Sequence, residues 1–145
     1  MSCFSDQYHR VHLFQQENGH DGLYKNQIGS IGAVLAHFST KHEPALVAMP
    51  TGTGKTAVMI ILSYLLRGNK ILVITPSQIV RKQIAEQFRY PKLLINKGIL
   101  PQHETLPNVF EVVNIIIDQD EWKTILNEND VIVGIPLIPQ AKKVH

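Results

Sequence analysis

Residues 51–56 read Thr-Gly-Thr-Gly-Lys-Thr, and they stand between a short apolar run and a longer one. No other stretch restricts the fold as tightly. Chain that wraps an anion must turn its amide N–H groups inward, which needs backbone angles that glycine adopts cheaply. Gly52 and Gly54 supply that freedom, with Thr51 and Thr53 beside them. A helix starting near Lys55 offers unpaired N–H groups and the positive end of its dipole. The Lys55 ammonium can reach the outer phosphates of a triphosphate, and the Thr56 hydroxyl can ligate Mg²⁺. The longer pattern G-x-x-x-x-G-K-[ST] wants a glycine at position 49, where this chain has Met49. An ordinary Gly/Thr turn before a core helix is the competing reading. The spacing and the flanking elements favour phosphate binding.

The periodicity around the loop predicts an alternating α/β order. Residues 1–22 are polar and read as an irregular N-terminal segment; the folded domain is expected over 23–145. Ile28, Ile31, Val34, Leu35 and Phe38 recur at helical spacing, with Gly29 and Gly32 placed to allow close packing. Ala45 to Met49 suits a buried strand, and Lys55 to Arg67 a helix apolar on nearly every side, stopped by Gly68-Asn69. Ile71 to Thr75 reads as a second strand. Ser77 is the expected N-cap of a helix running to Phe88. Leu93 to Leu100 is ambiguous. Glu111 to Ile117 and Asp130 to Ile135 read as two more strands around a short helix near Glu121 to Leu126. That order implies an α/β domain with a mainly parallel sheet flanked by helices.

The totals narrow the class. A chain of 145 residues with 44% apolar content can build one core. A formal charge of +2 provides no broad basic field, so nucleic-acid contact must come from local placement. The single cysteine, Cys3, cannot form an internal disulfide. No apolar stretch is long enough for a bilayer and no signal-peptide run opens the chain. The expectation is an intracellular protein, cytoplasmic or nuclear, without a membrane partner.

Three segments carry a resemblance. MPTGTGKT, residues 49–56, resembles motif I of superfamily 2 helicases and translocases, nearest to the branch of type I and type III restriction-enzyme motor subunits. Members often lack the first glycine, so Met49 agrees with it. ILVITPSQIVRKQIAEQF, residues 71–88, resembles motif Ia. LYKNQIGSIGAVLAHF, residues 23–38, resembles the glutamine-bearing helix ahead of motif I. The resemblance implies a P-loop, RecA-like fold that binds ATP and Mg²⁺, with DNA or RNA as its track. It implies that Gln27 reads the adenine edge, which its paired donor and acceptor suit. It also implies that the Thr75-Pro76-Ser77 turn touches the nucleic-acid backbone. Arg81 and Lys82, expected on the polar face of the following helix, could add phosphate contacts. Asp130 to Pro136 resembles a later nucleic-acid turn, with Ile135 where a hydroxyl residue is usual.

Other groups are less persuasive. Asp118, ending IIID, could be a Walker B carboxylate, but Asp120-Glu121 is displaced past a turn, and a helix cap is the better reading. Cys3, His9, His12 and His20 fit no zinc spacing. Trp122 reads as packing. No acidic box follows Asp130 to Ile135 in these residues, and the resemblance implies an N-terminal piece of a longer motor, whose second RecA-like domain would be its partner and supply an arginine finger. The expectation is therefore an incomplete sheet with exposed apolar surface, ATP bound weakly at best, and little hydrolysis by this stretch alone. Two readings of other classes stay open: a P-loop phosphotransferase or NTPase that ignores nucleic acid, and a non-hydrolysing nucleotide-binding scaffold.

Overall fold

A computed structural model describes residues 2–102 and 105–136. Helix α1 spans Cys3–Gln7 and runs into a 3₁₀ turn, Tyr8–Arg10. Then come α2 (Lys25–Thr40), α3 (Lys55–Leu65), β1 (Ile71–Ile74), α4 (Gln78–Arg89), α5 (Lys92–Asn96), β2 (Val109–Glu111), α6 (Gln119–Glu128) and β3 (Val131–Gly134). The strands form one parallel sheet in the order β1-β3-β2, with Ile71 and Val109 both in register with Val131. The α/β class and the parallel sheet agree with the sequence reading.

Strand β3 lies between two partners and is buried at all four residues, as a short run of Val, Ile and Gly in a parallel sheet should be. On one face Val73, Val131 and Val133 pack with Ile60, Ile61, Ala85 and Phe88 from α3 and α4. The opposite face is less covered: Leu72 and Ile74 are 67% and 57% exposed. The exposed apolar surface anticipated from the sequence is therefore present, and it lies partly on this face.

Two strand assignments are corrected. Ala45 to Met49 is irregular and largely exposed, with Leu46 at 96%. An apolar run becomes a strand only where a neighbour satisfies its backbone ladder. Among the described residues β1 pairs with β3 alone. Val47 and Met49 instead border an open apolar pocket of about 320 Å³, lined by Val58, Met59 and Leu62 of α3, by Leu66 just after it and by Ile71. The strand expected over Glu111 to Ile117 lies instead at Val109–Glu111, with one further bond from Val112 N–H to the Val133 carbonyl. Val113, Ile115 and Ile117 are left exposed.

The segment expected to be irregular contains α1. Ser2 caps it, accepting from the Ser5 N–H and donating its hydroxyl to the Gly68 carbonyl at 2.7 Å. Phe4 is fully buried, edge-on to Tyr64 with ring centroids 4.8 Å apart. In α2, Ile31 and Val34 face the core and Ile28 and Leu35 pack beside them, but Phe38 is exposed and meets His37 edge to face. Nothing lies within 4 Å of a Cβ built at Gly29 or Gly32, so neither glycine permits a close approach.

The stop of α3 is also corrected. Arg67, not Gly68, takes the left-handed angle, at φ +53°. Gly68 N–H bonds the Ser63 carbonyl and Arg67 N–H that of Tyr64, the paired bonds of a Schellman end. The Arg67 guanidinium stacks 4.3 Å over the Tyr8 ring, which helps offset the cost of a non-glycine residue there.

Phe4→Ala is expected to destabilise the protein by about 3–5 kcal/mol, since a fully buried ring is lost. Urea unfolding of the full chain checks this. A change within error would mean that α1 is not part of the core. Gly29→Ala, in open space, is expected to stabilise by roughly 0.5–1 kcal/mol in the same measurement.

Candidate nucleotide site

The loop ahead of α3 has the backbone expected of an anion cradle. Gly52 and Gly54 both lie at φ +77°, and Gly54 is the N-cap of α3. Between them the Thr53 hydroxyl donates to the Pro50 carbonyl at 2.6 Å and tightens the turn. Alternating left-handed residues of this kind gather successive N–H groups on one side. The first helical bond runs from Val58 N–H to the Gly54 carbonyl, so the amides immediately before it are not used in the ladder. Thr51, Gly52 and Lys55 are exposed, and Thr56 is half-buried. A Cβ at Gly52 would meet open space, which leaves room for an anion above the loop.

Gln27 occupies the third position of α2 and is only 4% exposed. Its Oε1 accepts from the Tyr24 N–H at 2.8 Å, which caps α2. Its Nε2 donates to the Gly54 carbonyl at 3.2 Å. Two elements that the sequence could only place at a suitable distance are thus joined directly. A Cβ at Gly54 would collide with that same Nε2. Sequence reasoning missed Lys97. It pairs with Asp21 at 3.1 Å, donates to the Gly22 carbonyl at 2.9 Å, and lies 5.5 Å over the half-exposed Tyr24 ring. A lone lysine after an ambiguous segment gave no signal of this.

The Thr75-Pro76-Ser77 turn follows β1, beside Gly134 at the end of β3. The two turns singled out for nucleic-acid contact are therefore neighbours at one end of the sheet. Their hydroxyls differ in availability. Thr75 is buried, and its Oγ1 lies 3.1 Å from the Gly134 carbonyl. Ser77 is exposed and caps α4 by accepting from Val80 N–H, as expected.

Arg81 is not on the polar face. It is buried with Ala85 and Phe88 on the side of α4 that covers the sheet. Its Nε lies 3.6 Å from a Glu111 oxygen and its guanidinium donates to the Val112 carbonyl. Glu111 also pairs with Arg89 at 3.0 Å. A carboxylate at the end of β2 draws the arginine inward; Lys82, one residue on, stays exposed.

Asp118 is the N-cap of α6, its carboxylate accepting from the Asp120 N–H at 3.0 Å. Trp122 packs half-buried and donates its indole N–H to the Ile116 carbonyl. Away from the loop, burial pushes the Cys3 thiol up to about 11, with Asp130 adding to the shift, and its Sγ donates to the Thr105 carbonyl. Burial likewise raises the Tyr64 phenol, with Cys3 contributing.

The sequence profile of one family, ResIII, described as type III restriction enzyme, res subunit, matches residues 21–136. The chain belongs to the ResIII family. It is a superfamily 2 helicase N-terminal RecA-like domain, and the match spans Gln27, the loop and both turns. Comparison with curated proteins and with solved structures finds no match. ResIII members bind nucleoside triphosphates and act on DNA. Among the described residues of this ResIII domain, no helix is long and apolar enough to cross a membrane.

The two loop glycines are expected to differ. Both pay for a left-handed angle when changed to alanine, by roughly 1–2 kcal/mol. Gly54→Ala must also displace Gln27, whereas Gly52→Ala meets open space. Thermal melts should therefore show Gly54→Ala falling further than Gly52→Ala. Equal melting temperatures would mean that the Gln27 contact is absent in solution.

Proposed function

We propose that this chain is the ATP-binding part of an ATP-dependent motor on DNA or RNA, and that it holds ATP·Mg²⁺ on the loop ahead of α3. The observation that carries this is the pair of glycines at φ +77° leading into the first turn of an 11-residue helix. The residues present fit the ligand: the space above Gly52 is open and the helix start is positive.

In this reading, the N–H groups of Thr51 to Thr56 bind the phosphate oxygens. Lys55 sets its charge against the outer phosphates, and the Thr56 hydroxyl holds Mg²⁺. That ion, when bound, neutralises charge on the phosphate chain. Gln27 keeps one N–H and one lone pair after its two internal bonds, the pair that an adenine edge asks for. The turn at Thr75, Pro76 and Ser77 contacts the nucleic-acid backbone, chiefly through Ser77 and the first N–H groups of α4. Such contacts position a strand without reading its sequence. Arg81, tied to Glu111, has no part in this surface. The domain extends from residue 23, with residues 1–22 as a separate N-terminal segment packed on it through Phe4.

Lys55→Ala in the full chain is expected to weaken binding of a fluorescent ATP analogue at least about tenfold, the usual scale for losing a charge-assisted bond. Titration by fluorescence anisotropy in the presence of Mg²⁺ checks it. Identical dissociation constants for the two proteins would refute the assignment.

A further inference from the structure

The Gly54 carbonyl accepts from two directions. Val58 N–H reaches it at 3.3 Å from within α3, and Gln27 Nε2 reaches it at 3.2 Å from α2. The peptide that follows is trans and planar, so the Lys55 N–H points opposite to that carbonyl. Fixing the oxygen toward α2 therefore aims the amide the other way. The rest of the carboxamide is fixed too, since Oε1 is held by the Tyr24 N–H. The turn ahead of α2 is in its turn held from the end of α5, where Lys97, the residue after the helix, pairs with Asp21 and donates to the Gly22 carbonyl. A side chain that is 96% buried and bonded at both ends does more than wait for a base.

We propose that Gln27 is a positioning residue for the phosphate loop: its amide donor sets the Gly54–Lys55 peptide, and so tunes affinity for the phosphate chain whatever base is attached. A loop already held in its binding shape loses less freedom when the anion arrives. The part of this inference that concerns a ligand rests on the phosphate-binding reading above. The part that concerns the ligand-free loop does not.

The test uses the full chain, isotope-labelled, as wild type, Gln27→Met and Gln27→Glu. Methionine matches the length and removes both bonds. Glutamate keeps the acceptor for Tyr24 and replaces the donor by a carboxylate oxygen that opposes the Gly54 carbonyl. Without ligand, NMR reads the Val58 amide exchange rate and the Gly54 carbonyl carbon shift. Val131, whose N–H bonds the Asn108 carbonyl in the buried sheet, serves as reference. The expected result is Val58 exchange roughly fivefold faster or more in both variants, a displaced Gly54 shift, and Val131 unchanged. With inorganic tripolyphosphate, Gln27→Met should bind about five- to tenfold more weakly; GTP should lose the same factor, and ATP that factor or more, since its adenine contact goes too.

Wild-type values at Val58 and Gly54 in both variants would overturn the inference. So would equal acceleration at Val131, which would make Gln27 a general core residue. A loss confined to ATP, with tripolyphosphate and GTP unaffected, would overturn it in favour of base reading alone. If tripolyphosphate fails to bind the wild type, the phosphate reading falls, and the ligand-free arm still decides the role of Gln27.

Discussion

The carbonyl of Gly54 joins the parts of this molecule that matter for its chemistry. It closes the first turn of α3 and receives the amide of Gln27 from α2, so one oxygen sets the relation between two helices and the loop between them. The bond costs the chain freedom in its sequence. Residue 54 must tolerate φ +77° and must lack a Cβ, because Gln27 fills that space. Glycine meets both demands at once. Gly52 meets only the first, since nothing presses on it. Two glycines that look equivalent as letters therefore have different reasons for being there.

The sheet behind the loop follows a second constraint. Parallel strands give ladder bonds to both sides and apolar side chains to both faces, so they are stable where neighbours cover them. β3 meets that condition, with β1 and β2 beside it and α3 and α4 above. β1 meets half of it: Val73 is covered and Leu72 and Ile74 are not. Ala45 to Met49 meets none of it and stays irregular, although its composition is that of a strand. Secondary structure in such a sheet is decided by neighbours more than by propensity.

This is why the helices were legible and the strands only partly so. Ser77 before Gln78 carries its cap in the local sequence, and α4 begins where that residue places it. The acidic cap of α6, legible only as Asp118 or Asp120, is Asp118, so the helix begins at Gln119, two residues ahead of the start expected near Glu121. The loop was legible because glycine spacing and helix start are also local. The bounds of β2 depended on where it meets β3, a partner about twenty residues further along the chain, which no local pattern around Glu111 encodes. α1 had too few residues for a periodic signal, although Cys3, Phe4 and Gln7 are all buried. Gln27 was placed near the loop by spacing, but its bond to Gly54 depends on how α2 crosses α3, which no local pattern encodes.

Arg81 shows the same limit from the side of charge. On a helical wheel it shares a stripe with Ala85 and Phe88, at spacings of four and three, yet an arginine in a stripe is ordinarily assigned to solvent. What brings it inside is Glu111 at the end of β2, which also engages Arg89. Removing the carboxylate would leave a buried guanidinium without its counter-charge, so the three residues stand or fall together. Arg89 also donates to the Val109 carbonyl on the same strand, and Arg81 to that of Val112. The pair thus anchors α4 along β2 as far as the point where the strand leaves the sheet. Because α4 starts at Ser77, this anchoring also fixes where that hydroxyl stands relative to β3. A charge cluster away from the loop thereby sets the geometry of the turn proposed to contact nucleic acid.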